Sequence, residues 1–392
     1  MIGESKKSQK TICLISRSIY PHPIGKHTQN MHTFEGWLRF WGSIVIVSQC
    51  HTKKTQTSQH KSIYGVLLPF ISNKYLNVLY FTCFGFFKIR KLIKKYNFEV
   101  FQASDVGGAI LALIVSKLYR KKFIFEVQGD IFDYPSKVGG RAHSSLVKFF
   151  SRMLVKRADH IRIVSPFLFE PLDKLNINRE KVFLVPPRCD SRLFSTQNVN
   201  SDKPKAFSEN QYNLLFVGNL LIAKGVDILL EAFALIEKEN SNIGLVFVGD
   251  GDEKERLITR SKEFGIREKV TFLGRVEYDT IPTLMYYADI LILPSIEEGV
   301  GRVLLEAMSM HLPIIASNVG GIPLVIDNRK DGLLFEVGDV ETLKGHVLYL
   351  LENQSFSDKM SQTAYQKFLN NYEYEVSMAK FIGMYEAISI KS

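Results

Sequence analysis

The 392-residue sequence predicts an α/β protein of two doubly wound domains. Short apolar runs alternate with helical stretches along most of the chain, as in parallel sheets with crossover helices. A chain of this length is longer than most chains that fold around a single hydrophobic core. A polar stretch without periodicity, residues 195–211, separates the two series. We therefore predict a domain of residues 1–200 and a domain of residues 201–371.

The first domain begins with TICLIS at Thr11, followed by a helix around residues 29–41 and the strand IVIVS. Five more apolar runs predict strands at residues 63–68, 98–103, 122–128, 160–165 and 181–186. The second domain has strand candidates YNLLFVG, IGLVFVG, KVTFLG, ADILIL, PIIAS and LLFEV, with helices at 226–239 and 253–264. A last helical stretch runs from about residue 360 to the end. Two sheets joined by one short linker predict a ligand in the cleft between the domains.

The two halves carry opposite charge. Residues 1–200 hold 31 Lys and Arg against 12 Asp and Glu, whereas residues 201–392 hold 19 against 28. Much of the basic excess lies in 88–95, 117–122 and 148–162, beside the aromatic run YLNVLYFTCFGFF. That run is too short to span a bilayer, which needs about 20 apolar residues. The pattern predicts a surface that binds an anionic membrane. A buried helix followed by a solvated helix is the alternative.

Other residues bear on compartment and metal binding. The four cysteines form no C-x-x-C pair, which argues against a zinc knuckle and a disulfide framework. The apolar run after the basic N-terminus stops at Arg17, too early for a signal peptide. We therefore expect a cytoplasmic protein. His22, His27 and His32 lack a spacing that defines a metal site, so we predict no metal and no other cofactor.

The stretch PSIEEGVGRVLLE, residues 294–306, carries the clearest ligand signal. A strand ends before it, a helix of strong helix formers begins within it, and Gly299 and Gly301 lie between. Free N–H groups and a positive dipole end at the carboxyl edge of a sheet bind anions. Glu306, one turn into the helix, is placed to accept hydrogen bonds from a ribose diol, and Glu298 faces the cleft. The stretch predicts a polyhydroxylated ligand that bears phosphate.

A second loop of the same domain supplies a cation. Lys224 lies between the strand YNLLFVG and the helix VDILLEAF, within reach of phosphates. A lone lysine at such a junction is often only solvated, but the neighbouring anion-binding loop favours a phosphate contact. Arg275, in FLGR, is a candidate neighbour of the base. In the first domain, the loop with Gly25 and Lys26 would approach the ligand from across the cleft.

Gln128 and Asp130 follow another first-domain strand and direct polar groups toward the same cleft.

The chain lacks a G-x-x-x-x-G-K-[ST] motif, and its first domain lacks a strand-to-helix G-x-G-x-x-G. Kinase and dehydrogenase functions therefore lose their main support. A nucleoside diphosphate beside Lys224 is then a leaving group whose developing charge the lysine stabilises.

Five segments in order resemble a known family: FVGNLLIAKGVDILLEAF, VFVGDGDEKERL, FLGRV, ADILILPSIEEGVGRVLLEAMSMHLPIIASNVGGIP and DGLLFEVGD. They are similar to the nucleotide-binding domain of retaining glycosyltransferase family 4, of the GT-B fold. The resemblance is continuous over about residues 213–339 and thinner in the first domain, in PHPIGKHTQNMHTFEGWLRFWG and VPPRCDSRLF. It implies two Rossmann-like domains facing a central cleft. The C-terminal helix, about residues 372–392, would cross back to the first domain.

The resemblance also implies roles for residues. Glu298 would contact the transferred sugar and support an oxocarbenium-like transition state, Glu306 would bind the ribose hydroxyls, and Lys224 would neutralise the diphosphate. The amides that would hold sugar hydroxyls and phosphate are those of Val300, Gly301, Arg302 and Val303. No metal is needed if the leaving phosphate takes the acceptor proton. The first domain would bind the acceptor, so Lys26, Gln128 and Asp130 are the candidates for the acceptor side.

The chain departs from the family pattern at several positions. Asn219 stands where arginine is usual, so Arg302 or Lys26 would supply the missing charge. Gln128 replaces a common histidine and cannot act as a general base. Leu324 replaces a usual glutamate.

The resemblance predicts a retaining, metal-independent transferase of a hexose-type sugar. The donor would be a nucleoside-diphosphate sugar, and the acceptor a membrane-proximal saccharide or lipid-linked saccharide in polysaccharide or glycolipid synthesis. The departures leave a non-catalytic nucleotide-sugar-binding partner subunit as the alternative. An epimerase shares the architecture. Nucleic-acid binding would explain the basic half but not the motifs, and we expect none.

Overall fold

The computed structural model describes residues 10–19, 29–50, 52–128, 141–199, 202–207 and 211–390. Contacts divide the chain into two compact units. The first contains residues 1–185 and 378–392, and the second contains residues 186–377. Both are α/β units, so the predicted class is confirmed. Among the described helices, none is long and apolar enough to cross a membrane.

The division falls at Pro186, whereas the sequence places it between residues 200 and 201. The reason lies in the contacts of the segment that follows Pro186. Cys189 forms a parallel β-bridge with Glu373, and Phe194 packs edge to face on Tyr278 with ring centroids 5.4 Å apart. These contacts anchor the segment in the second unit, ahead of the polar stretch 195–211 from which the boundary was predicted.

The first unit contains an eight-stranded sheet in the order β3-β4-β2-β1-β5-β6-β7-β8. Its strands are β1 (Thr11–Ile19), β2 (Ser43–Cys50), β3 (Gln56–His60), β4 (Ile63–Pro69), β5 (Phe98–Ala103), β6 (Lys122–Val127), β7 (His160–Ile163) and β8 (Val182–Leu184). All pair in parallel except β3, which is antiparallel to β4. Strand β3 has no apolar pattern that would predict it, because QTSQH is polar throughout, and a strand of this kind is tolerated only at the edge of a sheet.

The helices of the first unit are α1 (Gln29–Trp37), α2 (Lys74–Ile93), α3 (Val106–Tyr119), α4 (Arg141–Arg157) and α5 (Phe169–Lys174). The C-terminal helix α12 (Tyr374–Ile390) crosses the division and belongs to this unit from Met378 onward. Phe381 packs on Trp37 with ring centroids 5.0 Å apart. The Tyr385 hydroxyl donates to Gln102 Oε1 at 2.8 Å. The end of the chain is thus part of the core of the first unit.

The second unit has an all-parallel sheet in the order β11-β10-β9-β12-β13-β14. The strands are β9 (Tyr212–Val217), β10 (Ile243–Val248), β11 (Val270–Gly274), β12 (Ile290–Leu293), β13 (Ile314–Ser317) and β14 (Leu333–Phe335). The helices are α6 (Val226–Glu239), α7 (Lys254–Glu263), α8 (Ile281–Tyr286), α9 (Arg302–Ser309), α10 (Val340–Glu352) and α11 (Gln354–Asn371). Every residue of β10 and β12 is buried, as expected where helices cover both faces of a sheet.

Candidate functional site

The two loops singled out in the sequence meet at the point where the strand order of the second sheet reverses. The chain builds from β9 through β10 to β11 on one side, and β12 then pairs with the other side of β9. The loop 218–225 leaves the carboxyl end of β9, and the loop 294–301 leaves that of β12. Ligands of open α/β sheets bind at such a reversal, outside the carboxyl ends of the strands.

Backbone contacts hold these two loops together. The N–H groups of Ile296 and Glu297 both donate to Ala223 O, at 2.9 and 3.1 Å. Gly225 has a positive φ of 62° and is the N-cap residue of α6. A Cβ there would lie 1.9 Å from Pro294 O, so no larger residue fits without moving the loop. The relative position of the two loops is therefore set by backbone packing.

Lys224 and Glu298 form an ion pair at this position. Lys224 Nζ lies 2.6 Å from Glu298 Oε2, and the Ser295 hydroxyl donates to the same oxygen at 3.2 Å. The Gly299 N–H donates to Glu298 Oε1 at 3.2 Å. The side chains are 26% and 12% exposed, so the pair is partly shielded but open to a ligand. The structure thus brings together the two residues predicted to act in catalysis.

A third loop, residues 318–321 after β13, contacts the backbone of Glu298. Gly321 N donates to Glu298 O at 3.3 Å. Gly320 has a φ of 57°, and a Cβ there would lie 1.9 Å from the same carbonyl oxygen. The Ser317 hydroxyl, at the end of β13, donates to Ser295 O at 2.5 Å. The sequence GG before Ile322 therefore allows the close backbone approach that positions Glu298.

The predicted phosphate-binding amides lie at the N-terminus of α9. Gly301, with a φ of 73°, precedes the helix, and Arg302 and Val303 are its first residues. N–H groups in the first turn of a helix have no partner within the helix and carry its positive dipole end. Val300 is buried and the Arg302 side chain is exposed. The geometry of this terminus suits an anion.

Glu306 occupies a separate, buried position on α9. Its side chain accepts a hydrogen bond from the Tyr278 hydroxyl at 2.9 Å through Oε1. Burial raises the pKa of the Glu306 carboxyl, although the Arg302 charge and the Tyr278 hydrogen bond oppose that rise. Tyr278 follows β11 in a short 3-10 turn, and neither a motif nor periodicity marks it in the sequence. The structure therefore adds Tyr278 as the residue that holds Glu306.

Comparisons with known proteins identify the family of this chain. The family model described as "Glycosyl transferases group 1" matches residues 198–367, and that described as "Glycosyltransferase Family 4" matches residues 43–192. An uncharacterized glycosyltransferase of Haemophilus influenzae is 32% identical over 283 residues, covering 70% of this chain and 72% of that protein. This chain belongs to glycosyltransferase family 4.

Two further relatives bear on the fold and on the extent of the match. The structure of Anabaena HepE in complex with UDP and glucose has a TM-score of 0.76 at 17% identity. It covers 97% of this glycosyltransferase and 100% of HepE, which supports the GT-B fold. N-acetyl-alpha-D-glucosaminyl L-malate synthase of Bacillus anthracis is 29% identical over 238 residues. That match covers 60% of this glycosyltransferase and 61% of the synthase, which is less than two thirds of its length.

The remaining predicted donor residues lie at the same edge of the second sheet but do not join the ion pair. Asn219 follows β9 and Arg275 follows β11, and both side chains are exposed. Gly25, Lys26 and Asp130 lie outside the described residues, as do His22 and His27, and only the backbone of His32 is described, in α1. Within the described ranges, no three His, Cys, Asp or Glu side chains are grouped to hold a metal ion.

In the first unit, Gln128 belongs to a polar cluster that no sequence motif indicates. Gln128 is exposed just after β6, and its Nε2 donates to Glu126 Oε1 at 2.6 Å. Glu126 is buried, forms an ion pair with Arg162 on β7, and accepts a hydrogen bond from Gln102 Nε2 at 2.9 Å. Arg162 also donates to Val185 O at 3.0 Å. The sequence offers one signal for this pair: the apolar strand β6 contains the acidic Glu126, and the neighbouring apolar strand β7 contains the basic Arg162.

The ionisation of this cluster follows from its contacts. Burial alone raises the pKa of Glu126, but the Arg162 charge and hydrogen bonds from Gln128 and Gln102 outweigh burial and lower it overall. Glu126 therefore stays ionised and accepts from the Gln128 amide. Gln128 is thereby held at the carboxyl edge of the first sheet, where it was predicted to face an acceptor.

Proposed function

We propose that this glycosyltransferase moves a hexose-type sugar, with retention of configuration, from a nucleoside-diphosphate sugar to a membrane-proximal saccharide or lipid-linked acceptor. The proposal rests mainly on the Lys224–Glu298 pair at the strand-order reversal of the second unit. The Lys224 ammonium group would stabilise the negative charge of a diphosphate leaving group. The adjacent Glu298 carboxylate would stabilise the positive charge that develops at the anomeric carbon. The product would enter polysaccharide or glycolipid synthesis on the cytoplasmic face of a membrane.

The donor would bind along the carboxyl edge of the second sheet. Its phosphates would meet the N-terminus of α9 and Lys224. Its ribose diol would bind the Glu306 carboxyl group, which Tyr278 holds in place through Oε1. Structures of Anabaena HepE contain UDP with glucose, and UDP-glucose. These relatives support a nucleotide-sugar donor of this kind.

In the proposed reaction, the bond between the anomeric carbon and the diphosphate oxygen breaks while the acceptor hydroxyl attacks from the same face. Lys224 stabilises the negative charge that develops on the diphosphate, and Glu298 stabilises the positive charge that develops on the sugar ring. The acceptor proton passes to the departing phosphate oxygen. Gln128 would orient the acceptor, because an amide cannot serve as the base. In this scheme Lys224 and backbone amides carry the charge neutralisation that a metal ion would otherwise supply.

A two-stage experiment tests the proposal. A thermal-shift screen against UDP-, GDP- and ADP-sugars identifies the donor, because a ligand that binds the folded state raises the unfolding temperature. Turnover of that donor is then measured for Lys224→Ala and Glu298→Gln, with exposed Lys238→Ala as the charge-matched control. Loss of one preorganised electrostatic contact typically costs about 100- to 1,000-fold in kcat. Undiminished turnover in both variants would refute the assignment.

The exposed Asn219, at the position where the family resemblance implies arginine, favours one competing function, a nucleotide-sugar-binding subunit that supports an active homologue. The purified protein alone distinguishes the two functions. Transfer or slow donor hydrolysis without another protein supports the enzyme. Donor binding with turnover only after co-expression of a homologue supports the partner subunit.

A further inference from the structure

Helices α2, α3 and α4 lie side by side on one face of the first sheet. They connect β4 to β5, β5 to β6 and β6 to β7, so each crossover moves in the same direction across parallel strands. Right-handed crossovers in one direction place their helices on the same face. The contacts agree, since α2 packs on α3 and α3 packs on α4. We refer to the outward surface of these three helices as the α2–α4 face.

The α2–α4 face is basic in a way that the rest of the chain is not. The three helices contain 20, 14 and 17 residues, with ten Lys and Arg and no Asp or Glu among them. In the whole chain, 40 of 392 residues are acidic. Lys117 is paired with Asp159 at 3.4 Å, but Arg90, Lys91 and Arg152 are exposed on the helix surfaces. The face therefore suits a partner with many negative charges.

The same face exposes large apolar side chains. Single exposed apolar residues are ordinary, but a cluster on adjacent helices marks an interaction site. α2 already buries one stripe that includes Phe81 and Ile89, and yet its opposite side is also apolar. The exposed fractions of six residues on the three helices lie between 53% and 63%: Leu76, Leu79, Phe84, Phe87, Leu118 and Phe149. A partner that offers only phosphate groups would bind the basic residues but would leave these apolar side chains exposed to water.

Toward the C-terminal ends of α2 and α4, exposed apolar residues are followed by exposed basic residues. On α2, exposed Leu79 and Phe87 precede Arg90 and Lys91, and on α4 exposed Phe149 precedes Arg152 and Lys156. Crossover helices run antiparallel to the strands, so their first halves lie toward the carboxyl edge of the sheet. On α2 and α4 these exposed apolar residues, the apolar zone, therefore lie nearer that edge than the basic residues that follow them, the basic zone. Leu118 differs, because it lies in the last turn of α3, at the opposite edge.

We propose that the α2–α4 face docks on an anionic bilayer. The apolar side chains enter the boundary between headgroups and acyl chains, and the basic side chains bind lipid phosphates. This is how an amphipathic helix binds at an interface without spanning the bilayer. A second copy of the chain is a poorer occupant, because two such faces would bring exposed basic side chains such as Arg90, Lys91 and Arg152 together, and the three helices contain no acidic residue.

Docking in this way turns the carboxyl edge of the first sheet toward the membrane. Gln128 follows β6 at that edge, so an acceptor anchored in the bilayer would be presented to it. This step rests on the proposed function, which supplies the lipid-linked acceptor. The docking itself is independent of catalysis and is measured without a sugar donor.

The test is sedimentation of the full chain with vesicles of phosphatidylcholine containing about one third phosphatidylglycerol, at low and at physiological salt. Arg90→Gln/Lys91→Gln/Lys94→Gln removes two charges of the basic zone and that of the exposed Lys94, which caps the C-terminus of α2. Leu79→Ser/Phe87→Ser removes part of the apolar zone. Each basic residue near an anionic surface contributes a factor of about five, so the triple variant should bind roughly 100-fold more weakly. The apolar variant should lose at least about tenfold at both salt concentrations.

Matched controls lie in the second unit. Lys238→Gln/Lys262→Gln/Lys359→Gln removes the same charge from exposed positions, and Val337→Ser/Tyr349→Ser removes exposed apolar groups. Both should sediment like the unsubstituted protein, and all variants should keep its unfolding temperature. Failure of the unsubstituted protein to bind anionic vesicles would overturn the proposal. So would equal loss in face variants and controls, or binding to duplex nucleic acid that the triple variant loses while vesicle binding persists.

Discussion

The ion pair between Lys224 and Glu298 predicts an unusual response to Glu298→Gln. A diphosphate at Lys224 must compete with Glu298 for the same ammonium group, which lies 2.6 Å from Oε2. Replacing the carboxylate with an amide of nearly the same shape removes the competitor. We therefore expect the variant to bind a nucleoside diphosphate more tightly while its rate of sugar transfer falls.

The size of the gain follows from the geometry of the pair. Coulomb's law at the observed 2.6 Å gives about 1.6 kcal/mol in bulk water and about 6 kcal/mol at an effective dielectric constant of about 20. The Lys224 side chain is 26% exposed, so solvent screening reduces the upper value greatly. A net competition of about 1 to 2 kcal/mol corresponds to roughly 5- to 30-fold tighter binding.

A double-mutant cycle separates this competition from simple repulsion between Glu298 and phosphate. Affinities for UDP, GDP and ADP are measured by titration calorimetry in the unsubstituted protein, Glu298→Gln, Lys224→Ala and the double variant. The gain from Glu298→Gln should largely disappear when Lys224 is absent, because the two residues act through one contact. An equal gain in both backgrounds, or no gain in the first, would refute the competition between the carboxylate and the diphosphate.

Three further substitutions test other parts of the structure. Gly320→Ala forces a Cβ to within 1.9 Å of a backbone oxygen at a φ of 57°, so transfer should fall at least about 100-fold while donor binding weakens. Tyr278→Phe removes one hydrogen-bond donor from the buried Glu306 carboxyl group and should lower the unfolding temperature by about 3–10 °C, whereas exposed Tyr286→Phe should not. Arg162→Met should cost about 3–5 kcal/mol near pH 7, measured by urea unfolding through the two tryptophans, both in the first unit. Because the folded-state pKa of Glu126 is lowered, the ion pair stabilises above the ordinary carboxyl pKa of about 4.3 and is lost as pH falls through the folded-state pKa. The cost of Arg162→Met should therefore shrink below about pH 4, and a cost independent of pH would contradict the buried ion pair.

The parts that could be predicted from the sequence share a local cause. An apolar run such as IGLVFV favours a central strand, because helices on both sides of the sheet bury both of its faces there. Lys224 and Glu298 could be predicted as neighbours because each follows a parallel strand, and carboxyl ends of parallel strands meet at one edge. The positive-φ glycines at 225 and 301 mark where those loops turn into helices.

Local pattern could not show β3, the anchoring of Cys189 or the partner of Glu306. Strand β3 is polar and depends on pairing with β4, and Cys189 joins the second unit through a bridge to Glu373. The hydrogen bond between Tyr278 and Glu306 joins residues that nothing in the sequence marks as a pair. Each is a non-local contact whose two partners have no shared periodicity.

By itself, the sequence determined the α/β class, the strands of the central sheets and the two loops that form the candidate donor site. These depend on hydrophobic period, glycine conformation and helix formers, which act over a few residues. Only the tertiary structure decided which charges pair, that Glu298 is held by Lys224 and Glu306 by Tyr278, and that three helices without acidic residues share one face. Those outcomes depend on strand order, which places residues far apart in the chain beside one another.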